Sequence, residues 1–129
     1  MRSYCIETSV IIDYLRGKEQ ATALLESLDG TLSSSYVCFA ELYDGLSRIT
    51  NSTKQEEAVQ TFFNSLDGIY GLDQEVAKKF GELRAVLKQD GNIIEDFDLL
   101  IAATCIVYNL TLVTFNKKHF SHIKELILY

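Results

Sequence analysis

This sequence predicts an α/β fold, a mostly parallel sheet of about five strands between helices. Short β-prone runs alternate with longer helical patterns, an order that builds a parallel sheet covered on both faces. No internal repeat, linker or low-complexity tract interrupts the chain, and its 129 residues suit one domain, taken as 1–129. A chain of this size buries roughly two-thirds of its unfolded surface, enough for a real core.

The elements follow in order. "SYCI" (3–6) is short, apolar and β-prone, a buried strand. "TSVIIDYLRG" (8–17) is a helix with Thr8 or Ser9 as N-cap and Gly17 as its stop. "KEQATALLESLDG" (18–30) is a second helix, with Ala21, Leu24, Leu25 and Leu28 on one face. "TLSSS" (31–35) is a strand that leads into a helix from about Val37 to Ile49. "STKQEEAVQTFFNSL" (52–66) is an amphipathic helix capped by Ser52 or Thr53, with glutamates near its positive end. "GIYGL" (68–72) is a third strand. "DQEVAKKFGELRAVLKQDG" (73–91) is a long helix, capped by Asp73 and ended by Gly91. A further helix runs from about Glu95 to Tyr108, then a strand at "TLVTF" (111–115), a loop or helical turn at "NKKHF" (116–120), and a last strand at "ELILY" (125–129).

Composition narrows the function. The net charge is −6, from 12 Lys+Arg against 18 Asp+Glu, so the protein as a whole does not attract nucleic acid. An RNA or DNA ligand needs local basic patches or bound cations. Cys5, Cys38 and Cys105 sit in apolar contexts, and an odd count without paired spacing argues against a disulfide framework or a zinc site. They read as buried free thiols. No stretch has the length of a membrane span, and "MRSYCIETS" lacks a secretory leader, so a cytoplasmic protein is expected.

The acids are the informative residues. In open α/β sheets, ligands gather at the carboxyl ends of the strands. Glu7 follows the first strand, and Glu41 lies in the first turns after the second. Asp96 and Asp98 front the helix before the fourth strand; Thr114 and Asn116 lie at that strand's end. Oxygen-bearing side chains thus converge from four segments. Carboxylates brought close raise each other's pKa or share a cation, and hard oxygen donors suit Mg²⁺ or Mn²⁺. The helix N-terminus is expected to help keep Asp98 ionised. Such a cation polarises a phosphate oxygen and activates water, which is what phosphodiester hydrolysis needs.

The stretches "YCIETSVIIDYLRG", "FAELYDGL" and "IEDFDLLIAATCIVYNLTLVTFNKKHF" resemble PIN-domain proteins of the VapC toxin type. The resemblance runs in the right order from residue 4 to about residue 123, and its last block is the most specific. It implies a PIN-like fold and a Mg²⁺- or Mn²⁺-dependent endoribonuclease. It also implies a type II toxin–antitoxin pair, with a VapB-type antitoxin and RNA as partners, and a homodimer. Carried onto this sequence, it makes Glu7, Glu41, Asp98 and Asn116 the catalytic set. Glu7, Glu41, Asp96 and Asp98 become the metal ligands, with Thr8, Ser9, Thr114 and Asn116 hydrogen-bonding around them.

One position departs from the family pattern. The first acid is normally aspartate, and here it is Glu7, whose extra methylene moves the carboxylate by roughly 1.5 Å. Three accounts stand open: a natural variant with compensating shifts, a weakened enzyme, or a deliberate substitution. The second account leads to the alternative function, an impaired PIN domain that only binds antitoxin or RNA. Arg16, Lys117 and Lys118 are candidate RNA contacts, joined by Lys18, Arg48, Arg84, Lys88 and His119. A phosphatase or phosphoreceiver site needs a nucleophilic aspartate after an early strand, and "IETSV" supplies glutamate.

Overall fold

In the computed structural model, which describes residues 2–129, the strand β1 (Arg2–Ile6) lies inside an all-parallel sheet. It pairs on one side with β2 (Gly30–Ser35) and on the other with β4 (Thr111–Val113); β3 (Gly68–Tyr70) extends the sheet beyond β2. The order is β3-β2-β1-β4, with Tyr4 opposite Leu32 and Thr111. Close strand approach requires Gly30: a Cβ there would lie 2.0 Å from the carbonyl oxygen of Arg2, its register partner.

Among the described residues, seven helices accompany the sheet: α1 (Thr8–Leu15), α2 (Glu19–Ser27), α3 (Tyr36–Leu46), α4 (Thr53–Asn64), α5 (Gln74–Gln89), α6 (Asp96–Val107) and α7 (Lys117–Phe120). Gly17 and Gly91 adopt positive φ just past α1 and α5, the left-handed turn that ends a helix. Asp73 caps α5, accepting from Val76 N–H at 2.9 Å. Helix α6 is buried through Leu99, Ile101, Ala102, Ala103, Thr104 and Cys105, and packs against α5. The small residues of α6 let it lie deep in the core. Phe62 and Phe63 of α4 are also core, and the three cysteines are free and buried. Burial pushes the Cys38 thiol well above its ordinary range.

The triple serine of β2 is not apolar, yet it is buried. Ser33 and Ser34 donate to the β1 carbonyls of Tyr4 and Ile6 at 2.6 and 2.7 Å, so neither hydroxyl is left unpaired. Ser35 caps α3, accepting from Val37 N–H at 3.0 Å.

The sheet has four strands among the described residues, not five. "ELILY" makes a single parallel bridge, Leu112 to Leu128, flanked by hydrogen bonds Leu112 N–H to Ile127 O and Tyr129 N–H to Leu112 O, each 2.9 Å. Strand β4 is only three residues long, so it offers no ladder for a longer partner. It ends at Val113, before Thr114. The first helix begins at Thr8 with Glu7 in the N-cap position, so neither Thr8 nor Ser9 is the cap. Among the described residues, no helix is long and apolar enough to cross a membrane.

Candidate active site

Glu7 leaves the sheet at the carboxyl end of β1, where its N–H donates to Val113 O of β4 at 3.0 Å. Its side chain is buried, 4% exposed. The Ser9 hydroxyl donates to Glu7 Oε1 at 2.6 Å, and the Thr114 hydroxyl donates to the same oxygen. Ser9 Oγ in turn accepts from Phe115 N–H at 3.0 Å, and Thr114 Oγ1 from Asn116 N–H at 2.9 Å. Each hydroxyl thus has its proton committed to Glu7 and its lone pair to the turn after β4. The hydroxyls expected at the helix cap serve the carboxylates instead.

Glu41, half-buried on α3, accepts from the Thr8 hydroxyl at 2.6 Å. Burial pushes its carboxyl above the ordinary range, against the downward pull of Thr8, and the charges of Glu7 and Asp98 add to the push. Asp98, in the first turn of α6, is likewise raised by burial first and by Glu7 second. The sequence suggests that the helix N-terminus helps keep Asp98 ionised; desolvation and a like charge act in the opposite direction. His119 pulls Asp98 the other way: its Nδ1 stands 3.3 Å from Asp98 Oδ2.

Glu7, Thr8, Ser9, Glu41, Asp96, Asp98 and Asn116 line one cavity of about 760 Å³, together with Glu95 and His119. Apolar and basic residues also line it: Ile12, Ile93, Ile94, Phe97 and Arg84. Asp96 is 77% exposed on its side chain and bound by Arg84, which also donates to Ile94 O at 3.0 Å. It therefore neither caps α6 nor stands free. Asn116, Lys117, Lys118 and His119 line an adjoining hollow, and Arg16 lies in a neighbouring groove that also reaches Glu41. Arg48, just past the end of α3, is paired with Asp44 of that helix at 2.9 Å.

Sequence reasoning missed two contacts. The Arg84 pairing crosses from α5 to the segment before α6, and no periodicity links those positions. The approach of His119 to Asp98 depends on α7 folding back towards α6. The donor set fits a hard divalent cation in kind: three carboxylates with an amide and two hydroxyls. Its spacing is open. Among the described residues, no three His, Cys, Asp or Glu side chains stand close enough to hold an ion together as placed.

The chain matches the family model of the PIN domain over residues 4–126. It is 36% identical over 120 residues to a protein of Methanocaldococcus jannaschii named ribonuclease VapC1, covering 93% of this chain and 80% of that one. Ribonuclease VapC2 of Rickettsia felis is 37% identical over 100 residues, 78% of this chain and 74% of that one. The crystal structure of VapBC2 from Rickettsia felis, bound to a DNA fragment from its promoter, contains a chain that superposes with a TM-score of 0.89. That match is at 32% identity and covers 98% of this chain and 96% of that one.

Proposed function

This chain belongs to the PIN-domain family and to its VapC group, and from that premise we propose that it is a metal-dependent endoribonuclease, the toxin of a toxin–antitoxin pair. The observation that carries the proposal is the convergence of Glu7, Glu41 and Asp98 on one cavity at the strand ends. A bound Mg²⁺ or Mn²⁺ supplies Lewis-acid polarisation of the phosphate and lowers the pKa of the attacking water. The chain's own groups hold and orient. Ser9 and Thr114 fix Glu7, Thr8 fixes Glu41, and His119 faces Asp98. Joint ligation requires the carboxylates to draw closer together than they stand. Asn116 lines the same cavity, placed to hydrogen-bond the phosphate or its water. Lys117 and Lys118, exposed beside it, offer phosphate contacts that offset the protein's net negative charge.

Glu7 favours an active enzyme over a binding-only domain. Its longer side chain is seated, buried and doubly hydrogen-bonded, where an ill-fitting one would turn out to solvent. The partners follow from the same premise: a VapB-type antitoxin, RNA, and a second copy in a homodimer. The antitoxin has a groove to enter between α1, α3 and α4, lined by Ile12, Leu15, Leu42, Leu46 and Val59. Arg16 and Glu41 lie at its polar positions, so a segment bound there reaches the acidic cavity.

The test is cleavage of a purified transfer-RNA pool in Mn²⁺, with EDTA and Asp98→Asn as controls. Cleavage abolished by both is the expected result. Cleavage that survives EDTA, or that Asp98→Asn leaves unchanged, would sink the metal-dependent assignment.

A further inference from the structure

We propose that Phe97 is a nucleobase platform of this active site, a stacking face for one unpaired base of a single-stranded RNA, held in position by Arg84; the proposal rests on the ribonuclease assignment above. Phe97 stands between Asp96 and Asp98 in the first turn of α6, lines the carboxylate cavity and is 48% exposed. Ile93, 94% exposed, lies on the same wall. Large apolar side chains left in water beside a cluster of carboxylates forgo the free energy that burial would give, and such surfaces mark binding sites.

The wall is held from behind. Arg84 reaches across from α5, donating to Ile94 O at 3.0 Å and to the Asp96 carboxylate. Its guanidinium carbon lies 5.4 Å from the ring centroid of Phe80. Ile94 itself is buried. The bonds fall on Ile94, in the connection before α6, and on Asp96, the first residue of that helix, so the ring is presented from an anchored helix start. A prearranged face spares a ligand the cost of ordering it.

Charge selects the occupant. The carboxylates repel the phosphates of an RNA strand, and the basic residues Lys117 and Lys118 line the adjoining hollow, which shares Asn116 and His119 with the cavity. An aromatic ring carries no such penalty and stacks on any base. A strand whose phosphates follow Lys117 and Lys118 and whose base rests on Phe97 brings the intervening phosphate over the acids. Stacking on a protein ring requires a base free of its own neighbours, so single strands and loops are favoured over duplex. An antitoxin segment already has an apolar groove on the opposite side of Glu41, and Phe97 does not line it.

The chain has no tryptophan, so Phe97→Trp creates a single fluorescent reporter at the site. In an Asp98→Asn background that slows cleavage, a mixed-sequence single-stranded RNA decamer in Mg²⁺ is expected to quench this fluorescence saturably, and the same strand in duplex far less. In the otherwise native chain, Phe97→Ala is expected to raise KM for the transfer-RNA pool about 10-fold with kcat nearly unchanged, and Phe97→Tyr to restore it. The melting temperature of each variant checks that the fold persists. An unquenched reporter, equal quenching by duplex, or an unaltered KM overturns the platform. If Phe97→Ala instead weakens only antitoxin binding, the face belongs to the antitoxin and the proposal fails. Wild-type protein that does not cleave RNA in Mn²⁺ sinks the ribonuclease assignment. Cleavage by the wild type with an unquenched reporter sinks the platform alone.

Discussion

The Glu7 corner and the α6 rim face one cavity and are held by different chemistry. At the corner, a buried carboxylate accepts hydrogen bonds from two neutral hydroxyls, Ser9 and Thr114. At the rim, an exposed carboxylate, Asp96, is taken by a guanidinium, that of Arg84. A hydroxyl orients a carboxylate and leaves its charge for a cation; an arginine orients it and cancels the charge. The corner is thus built to keep negative charge, and the rim to discharge it. The raised pKa values of Glu41 and Asp98 mark the same cost, uncancelled charge held out of water.

The largest effect is expected at the corner, from Glu7→Asp. Shortening this side chain withdraws the carboxylate by roughly 1.5 Å from the Thr114 and Ser9 hydroxyls. A misplacement of that order is expected to lower the cleavage rate by roughly 10²-fold, although aspartate is the family's usual residue here. A rate at or above wild type would mean that the hydroxyl seat does not set the geometry. Next in size is Thr114→Val, which keeps the shape and removes the donor. A hydrogen bond to a buried charge is lost, together with the acceptor for Asn116 N–H, so urea unfolding should show a loss of about 2 kcal/mol. Arg84→Ala at the exposed rim should lose about half as much, since solvent screens its pair.

Much of this arrangement was legible in the sequence, and the exceptions have physical causes. The strands at residues 3–6 and 31–35 and the helix over 73–91 follow from local apolar runs and from caps at Asp73 and Gly91, signals carried by adjacent residues. The positions of Glu7, Glu41 and Asp98 at one sheet end follow once the sheet is parallel. The fate of the side chains does not follow. Local pattern makes Thr8 and Ser9 look like helix caps, whereas the family resemblance already implies hydroxyls around the acids: Ser9 turns back to Glu7, and Thr8 meets Glu41 from a distant segment. "ELILY" looks like a strand because β-propensity cannot see that β4 is too short to pair with it. The pairing of Asp96 is not legible because Arg84 is remote in sequence and near in space.

The fourth effect separates stability from function. Glu41 and Asp98 have pKa values above their unfolded ones, so they favour folding in acid, and that contribution is lost as pH rises through their folded values. In the metal-free protein these two groups should therefore contribute less to stability at pH 7 than in acid. Asp98→Asn removes part of this penalty and should raise the metal-free melting temperature at pH 7 by roughly 2–5 °C. In millimolar Mn²⁺ the order should reverse, because only the wild type gains from ligation. A variant that melts below the wild type in EDTA would show that Asp98 is stabilised by His119 more than it is strained by Glu7.

The smallest effect is expected from Asp96→Asn, and it bears most directly on the difference between corner and rim. If Arg84 discharges Asp96, the amide that replaces it keeps a hydrogen-bond acceptor for the guanidinium and removes a charge that no cation was using. Unfolding free energy should then change by less than about 0.5 kcal/mol. Mn²⁺ affinity, read by calorimetry, should stay within about 3-fold of wild type, while Asp98→Asn falls well below it. Equal losses from the two substitutions would make Asp96 a ligand, as the family pattern implies. Arg84 would then have to release it whenever the cation binds, and Arg84→Ala would tighten Mn²⁺ rather than weaken it. The sign of that one change in affinity decides whether Arg84 is part of a fixed wall or a competitor for the metal.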